Sequence, residues 1–173
     1  MKNDKVKSII VLTAICLIVT ALLAVTNHFT APVIKDARER KIQNSLKTVL
    51  PDMYSINEIK DLPEGTPSTV KNVYMVNGDH YAVVLATTSA YSSGDMGITV
   101  GISPEGRIVG ITLTSYFESK DFGKEEYPKS FVGLDADGAE AVDVHAGVTY
   151  SSKAFKAAIA DAFKAVELIK GGE

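Results

Sequence analysis

The chain opens its pattern with an unbroken apolar run: residues 8–26, SIIVLTAICLIVTALLAVT, carry no charged side chain. As a helix that run would extend ~28 Å at the usual rise. It nearly matches a bilayer hydrocarbon core of ~30 Å, so it predicts a membrane-spanning helix over 8–26. Downstream the apolar positions adopt a three-to-four period. Ile34, Ala37, Lys41, Ile42, Ser45, Leu46, Val49 and Leu50 follow a helix start at Asn27–Thr30 and Pro32, and Leu50-Pro51 closes the stretch. This predicts a juxtamembrane helix over 27–51. Residues 52–68, with Pro63, Gly65 and Pro67, read as a loop with room for one short element. The middle of the chain then changes period. Asn72–Val76, the turn Asn77-Gly78-Asp79 and His80–Thr88 make one hairpin signal, and Ile98–Ile102, Pro104-Glu105-Gly106 and Arg107–Tyr116 make a second. From Phe155 on, Ala158, Ile159, Ala162, Phe163, Val166 and Ile169 mark one buried helical face, with Ser151 or Ser152 as its natural N-cap. At least four strands lie between two helices and no βαβ unit repeats, which predicts an α+β domain on an antiparallel sheet.

Charge orients this plan. Lys2, Lys5 and Lys7 precede the apolar run with only Asp4 against them, so residues 1–7 are expected to stay in the cytoplasm and residues 52–173 to form an extracytoplasmic domain. A cleaved signal peptide is the competing reading. It would need an unusually long apolar core, no clear A-x-A site follows, and Thr13-Ala14-Ile15 before Cys16 make a poor lipoprotein signal, so an uncleaved anchor is preferred. The run holds no ionisable residue, and nothing in it suggests an ion path. A net charge of −3 without a basic stripe argues against nucleic-acid binding. The single cysteine excludes an intrachain disulfide and any cysteine-ligated zinc or iron–sulfur site within the chain. The three histidines show no metal-ligand spacing, and a lone His145 reads as a solvated loop residue.

Candidate chemistry concentrates in Asp143–Phe155, DVHAGVTYSSKAF, where Thr149 stands in a glycine-containing turn just ahead of the last helix. N–H groups of a first helical turn and the positive end of the dipole favour an anion such as phosphate, and Thr149, Tyr150, Ser151 and Ser152 would add hydroxyls there. A capped helix start without a ligand is the ordinary alternative. The stretch from Tyr116 to Gly123, with Tyr127, Phe131 and Gly133 after it, could wall a flat ligand or merely connect two elements. No G-x-G-x-x-G opens a helix and no P-loop is present.

A short basic tail, one span, an N-x-x-T-x-P-x-I helix start, the G-I-S-P-E-G-R-I-V-G-I hairpin from Gly101, a glutamate-to-glycine loop at Glu118–Gly123 and D-x-x-x-G-x-T-x-S-S from Asp143 follow one another here. In that order they resemble the G subunit of the Rnf ion-translocating electron-transport complex, similar in plan to the C subunit of sodium-pumping NADH:quinone reductase. The resemblance implies an extracytoplasmic FMN-binding domain whose FMN is joined through its phosphate to Thr149 as a phosphoester. It further implies that Gly147, Val148, Tyr150, Ser151, Ser152, Glu118, Phe122 and Gly123 line the cofactor. Attachment would need a flavin transferase as partner, and electron relay would need the other subunits of the membrane complex. Three departures from the family pattern stand out. The usual Ser/Thr-Gly-Ala-Thr reads Ala146-Gly147-Val148-Thr149, the usual Glu-Thr-Pro-Gly-Leu-Gly reads Glu118-Ser-Lys-Asp-Phe-Gly123, and a Gly-Tyr-x-Gly pattern becomes Tyr91-Ser-Ser-Gly94. In the altered loop Phe122 could lie against the flavin ring and Lys120 could favour its anionic reduced form. Two other functions remain open: a membrane-anchored assembly or binding subunit that keeps the fold without flavin, and a stand-alone surface FMN protein for extracellular electron transfer.

Overall fold

The computed structural model describes residues 2–88, 94–117 and 126–172, with side chains from residue 7 onward. Its elements are α1 (Lys2–Val49), β1 (Ile56–Ile59), β2 (Val70–Val76), β3 (His80–Thr87), β4 (Met96–Ile102), β5 (Ile108–Ser115), α2 (Glu126–Lys129), α3 (Ala136–Ala141) and α4 (Thr149–Gly171). They form two compact units, Met1–Arg40 and Lys41–Glu173. The first is helix alone, and its apolar side chains, from Ile9 through Leu23 to Ile34, are all exposed. Such a helix is long and apolar enough to cross a membrane once.

Instead of stopping and restarting at Asn27, α1 runs through Pro32 to Val49. Proline removes one ladder donor, yet the surrounding residues hold helical geometry, and the hydroxyls of Thr26 and Thr30 fold back onto the carbonyls of Leu22 and Thr26 at 2.9 Å each. The predicted closure at Leu50-Pro51 is where the helix ends.

The second unit is built on a five-stranded antiparallel meander in the order β1-β2-β3-β4-β5. Local turn chemistry sets its two hairpins. Asn77 and Gly78 both take positive φ, 57° and 88°, as the tight β2–β3 turn requires, and Gly106 at φ 76° closes β4–β5. Within the stretch read as a loop over 52–68 lies β1, a short edge strand paired with β2 from Ile56↔Val76 to Ile59↔Val73. Alternation along the strands gives the sheet two apolar faces. Val73, Tyr81, Val83, Leu85, Ile98, Val100 and Ile102 join Phe155, Ala158, Ile159, Ala162, Val166 and Ile169 of α4 in the larger core. The face of α4 anticipated from its period is thus the buried one, with Phe163 only half-buried at its margin.

On the opposite face Tyr74, Val76, Ala82 and Val84 cover Leu46 of α1. Gly101 and Gly110 lie opposite each other across β4 and β5, and they leave the space into which the helix end settles. A Cβ on Gly110 would collide with the carbonyl of Val49, and one on Gly101 would press on Leu50 and the same carbonyl at 3.3 Å. The Gly101–Gly110 motif therefore serves packing. Beneath it the buried Thr99 hydroxyl donates to Ser45 at 2.9 Å, tying helix to sheet by a polar contact inside an apolar layer.

Candidate functional site

The segment Asp143–Val148 links α3 to α4 across the surface, and its positive-φ residue among those described is Gly147, at 83°. Helix α4 begins at Thr149 with Val148 in the N-cap place and no side-chain cap, so neither Ser151 nor Ser152 caps the helix as the sequence suggests. The reason is burial. Ser151 and Ser152 are turned inward, at 6% and 0% exposure. The Ser152 hydroxyl accepts from the His145 N–H at 3.2 Å and donates to the Val148 carbonyl at 3.0 Å. Thr149 and Tyr150 point the other way and are exposed. The Thr149 hydroxyl has no hydrogen-bond partner among the described residues. The helical ladder starts with Ser152 N–H to the Val148 carbonyl at 3.0 Å. Thr149 therefore sits ahead of the ladder, at the positive end of a helix with no acidic residue in its first turn.

An aromatic cluster supports this turn from below. Tyr127 of α2 donates its hydroxyl to the Asp143 carbonyl at 3.0 Å. Its ring stands 5.4 Å from Phe131, 5.8 Å from Phe155 and 5.6 Å from His145. Burial raises the Tyr127 phenol above its usual pKa, and the charge of Asp143 adds to the effect, so the hydroxyl remains a donor at neutral pH. Just ahead of the segment Lys156 donates to the carbonyls of Glu140 (2.9 Å) and Val142, satisfying the end of α3.

Of the residues singled out in the sequence, Gly147, Thr149 and Tyr150 share the exposed surface of the turn. Val148, bulkier than the alanine of the family pattern, packs inward on the main core. Tyr127 and Phe131, two aromatics that could have walled a ligand, are core residues. Glu118, Lys120, Phe122 and Gly123 lie outside the described residues, as do Tyr91, Ser92 and Ser93. Their described neighbours meet: a Cβ on Gly94 would touch the Phe117 ring at 3.0 Å, so the edges of the two altered motifs come together where β4 begins and β5 ends. The residue that sequence reasoning underrated is Tyr127, whose partner lies sixteen positions along the chain. No periodic signal marks such a contact.

A phosphate ester on Thr149 fits this arrangement. The Thr149 hydroxyl is outward and has no partner among the described residues, and none of them would come within 4 Å of a Cβ at Gly147. The chain combines one helix long and apolar enough to cross a membrane with an α+β domain carrying this turn, and residues 92–164 match the family model of the FMN-binding domain. Residues 1–49 match that of the RnfG N-terminal region. Over nearly its whole length the chain is similar to the G subunits of the ion-translocating oxidoreductase complexes of two Shewanella species. It is 23% identical to the protein of Shewanella piezotolerans, over 92% of this chain and 88% of the relative. Identity to the protein of Shewanella baltica is 26%, over 94% of this chain and 89% of the relative.

Proposed function

We propose that this chain is a single-pass membrane flavoprotein that carries FMN on Thr149 and relays electrons within an ion-translocating oxidoreductase complex of the Rnf type. The observation that carries the reading is the division of hydroxyls in the first turn of α4. Of four adjacent ones, Ser151 and Ser152 are buried, while Thr149 is exposed with no partner among the described residues. Similarity over more than nine-tenths of the chain to the two Shewanella proteins favours a component of a complex over a stand-alone surface protein.

In this reading Thr149 Oγ1 forms a bond to the phosphorus of a flavin pyrophosphate nucleotide. The phosphorus–oxygen bond to the second phosphate breaks, the nucleoside monophosphate leaves, and the threonine proton passes to a base of a flavin transferase. The N–H of Thr149 and the dipole of α4 would favour the negative charge of the resulting phosphodiester. Gly147 and Tyr150 flank it, with Val148, Ser151 and Ser152 supporting the turn from inside, and Glu118, Phe122 and Gly123 are assigned to the flavin ring. When bound, FMN supplies one- and two-electron transfer. The tail over 1–7 lies in the cytoplasm, residues 8–26 span the membrane, 27–51 form the juxtamembrane part of α1, and 52–173 face the exterior. Kinship with the C subunit of sodium-pumping NADH:quinone reductase belongs to the same reading.

Co-expression with a flavin transferase tests it. Intact mass should rise by one FMN on the peptide containing Thr149, the denatured band should fluoresce, and Thr149→Ala should lose both signals. Colourless wild-type protein that still co-purifies with a membrane complex would instead establish an assembly component without flavin.

A further inference from the structure

We infer that Ser152 and Tyr127 are positioning residues for the acceptor threonine, holding the 143–148 turn in the one conformation that presents Thr149 to a flavin-transferring partner; this rests on the flavin reading of Thr149. Three backbone groups of the turn are held by two buried hydroxyls. Tyr127 takes the Asp143 carbonyl, and Ser152 takes both the His145 N–H and the Val148 carbonyl. The two hydroxyls come from different elements, α2 and α4, and each is fixed in turn by the core: Ser152 has no exposed surface, and Tyr127 packs on Phe131 and Phe155, which have none either. Helix α4 has no side-chain cap of its own. Ser152 instead ties the first turn to the segment before it, donating to the Val148 carbonyl and accepting from the His145 N–H. The consequence falls on Thr149. A helix start is ordinarily stabilised by a threonine or serine hydroxyl folded back onto backbone N–H groups. With the turn held from below, the Thr149 hydroxyl is left uncommitted and outward. Gly147 at φ 83° completes the path by letting the chain reverse between the held His145 and the held Val148.

Two readouts on the full chain separate positioning from plain stability. Amide exchange of 143–150 should quicken about tenfold in Ser152→Ala, and to a smaller extent in Tyr127→Phe, the size expected for losing a hydrogen bond that closes the turn. With purified transferase and a flavin pyrophosphate donor, both variants should be labelled on Thr149 about tenfold or more slowly, since a misplaced acceptor loses rate steeply. Ser45→Ala is the control. It breaks the hydrogen bond between two buried hydroxyls, Thr99 and Ser45, on the other face of the sheet, and should lower the melting temperature while labelling at the wild-type rate. Labelling of Ser152→Ala and Tyr127→Phe at the wild-type rate overturns the inference and leaves the acceptor reading standing. Slower labelling of Ser45→Ala in step with its lost stability also overturns it. An unlabelled wild type removes the acceptor reading itself and the inference with it.

Discussion

Thr149 and its neighbours show how much a hydroxyl's meaning depends on which way it points. Sequence alone offers four adjacent hydroxyls as equivalent anion ligands; burial separates them into two that are turned inward and two that face out. Gly147 illustrates a backbone requirement with no steric one. Its φ is 83° and a Cβ there would meet nothing, so Gly147→Ala should cost about 1–2 kcal/mol from left-handed strain alone, measured by denaturant unfolding. Tyr127 makes a pH prediction with a definite sign. Its phenol is raised in the folded protein by burial and then by Asp143. The protonated form is therefore favoured in the fold, and its contribution is complete below the unfolded phenol value of about 10 and lost as pH rises through the folded value. Stability curves of wild type and Tyr127→Phe should converge in alkaline solution and differ at neutral pH.

The elements fall into those set locally and those set by partners. Both hairpins are legible because Asn77-Gly78 and Pro104-Glu105-Gly106 carry their own turn geometry. The strand β1, INEI, is not, since four residues show too little alternation and the strand exists only by pairing with β2. The end of α1 is similar: its period announces a helix, yet only the glycine pair shows what it packs on. Gly110→Ala should destabilise the domain by about 1–3 kcal/mol through overpacking against Val49, read as a lowered melting temperature. A fragment beginning at Lys41 should fold. One beginning at Pro51 should bind a hydrophobic dye, because Tyr74, Val76, Ala82 and Val84 lose their cover from Leu46.

For the molecule as a whole, the proposed function gives anchoring to the first unit and carrying to the second. The apolar side chains of the first unit have no protein cover, so the full chain should pellet with membranes and resist carbonate extraction, whereas the fragment from Lys41 should stay in solution. The proposed orientation is tested by Ser68→Cys, exposed on the second unit. An impermeant maleimide should label it in intact cells, and protection there would reverse the topology.

The long apolar helix, the strand-rich middle and the amphipathic last helix were all legible in the chain, because each rests on periodicity or on turn residues that act within a few positions. Contacts between distant segments were not. Tyr127 reaching Asp143 and Gly110 receiving Val49 have no local signature, since each joins segments brought together only when the sheet buries one face against α4 and the other against the end of α1. Periodicity tells which face of an element is buried, and folding alone tells what lies against it. That is why the chain could set four adjacent hydroxyls at the start of a helix while leaving open which of them face out and which are buried.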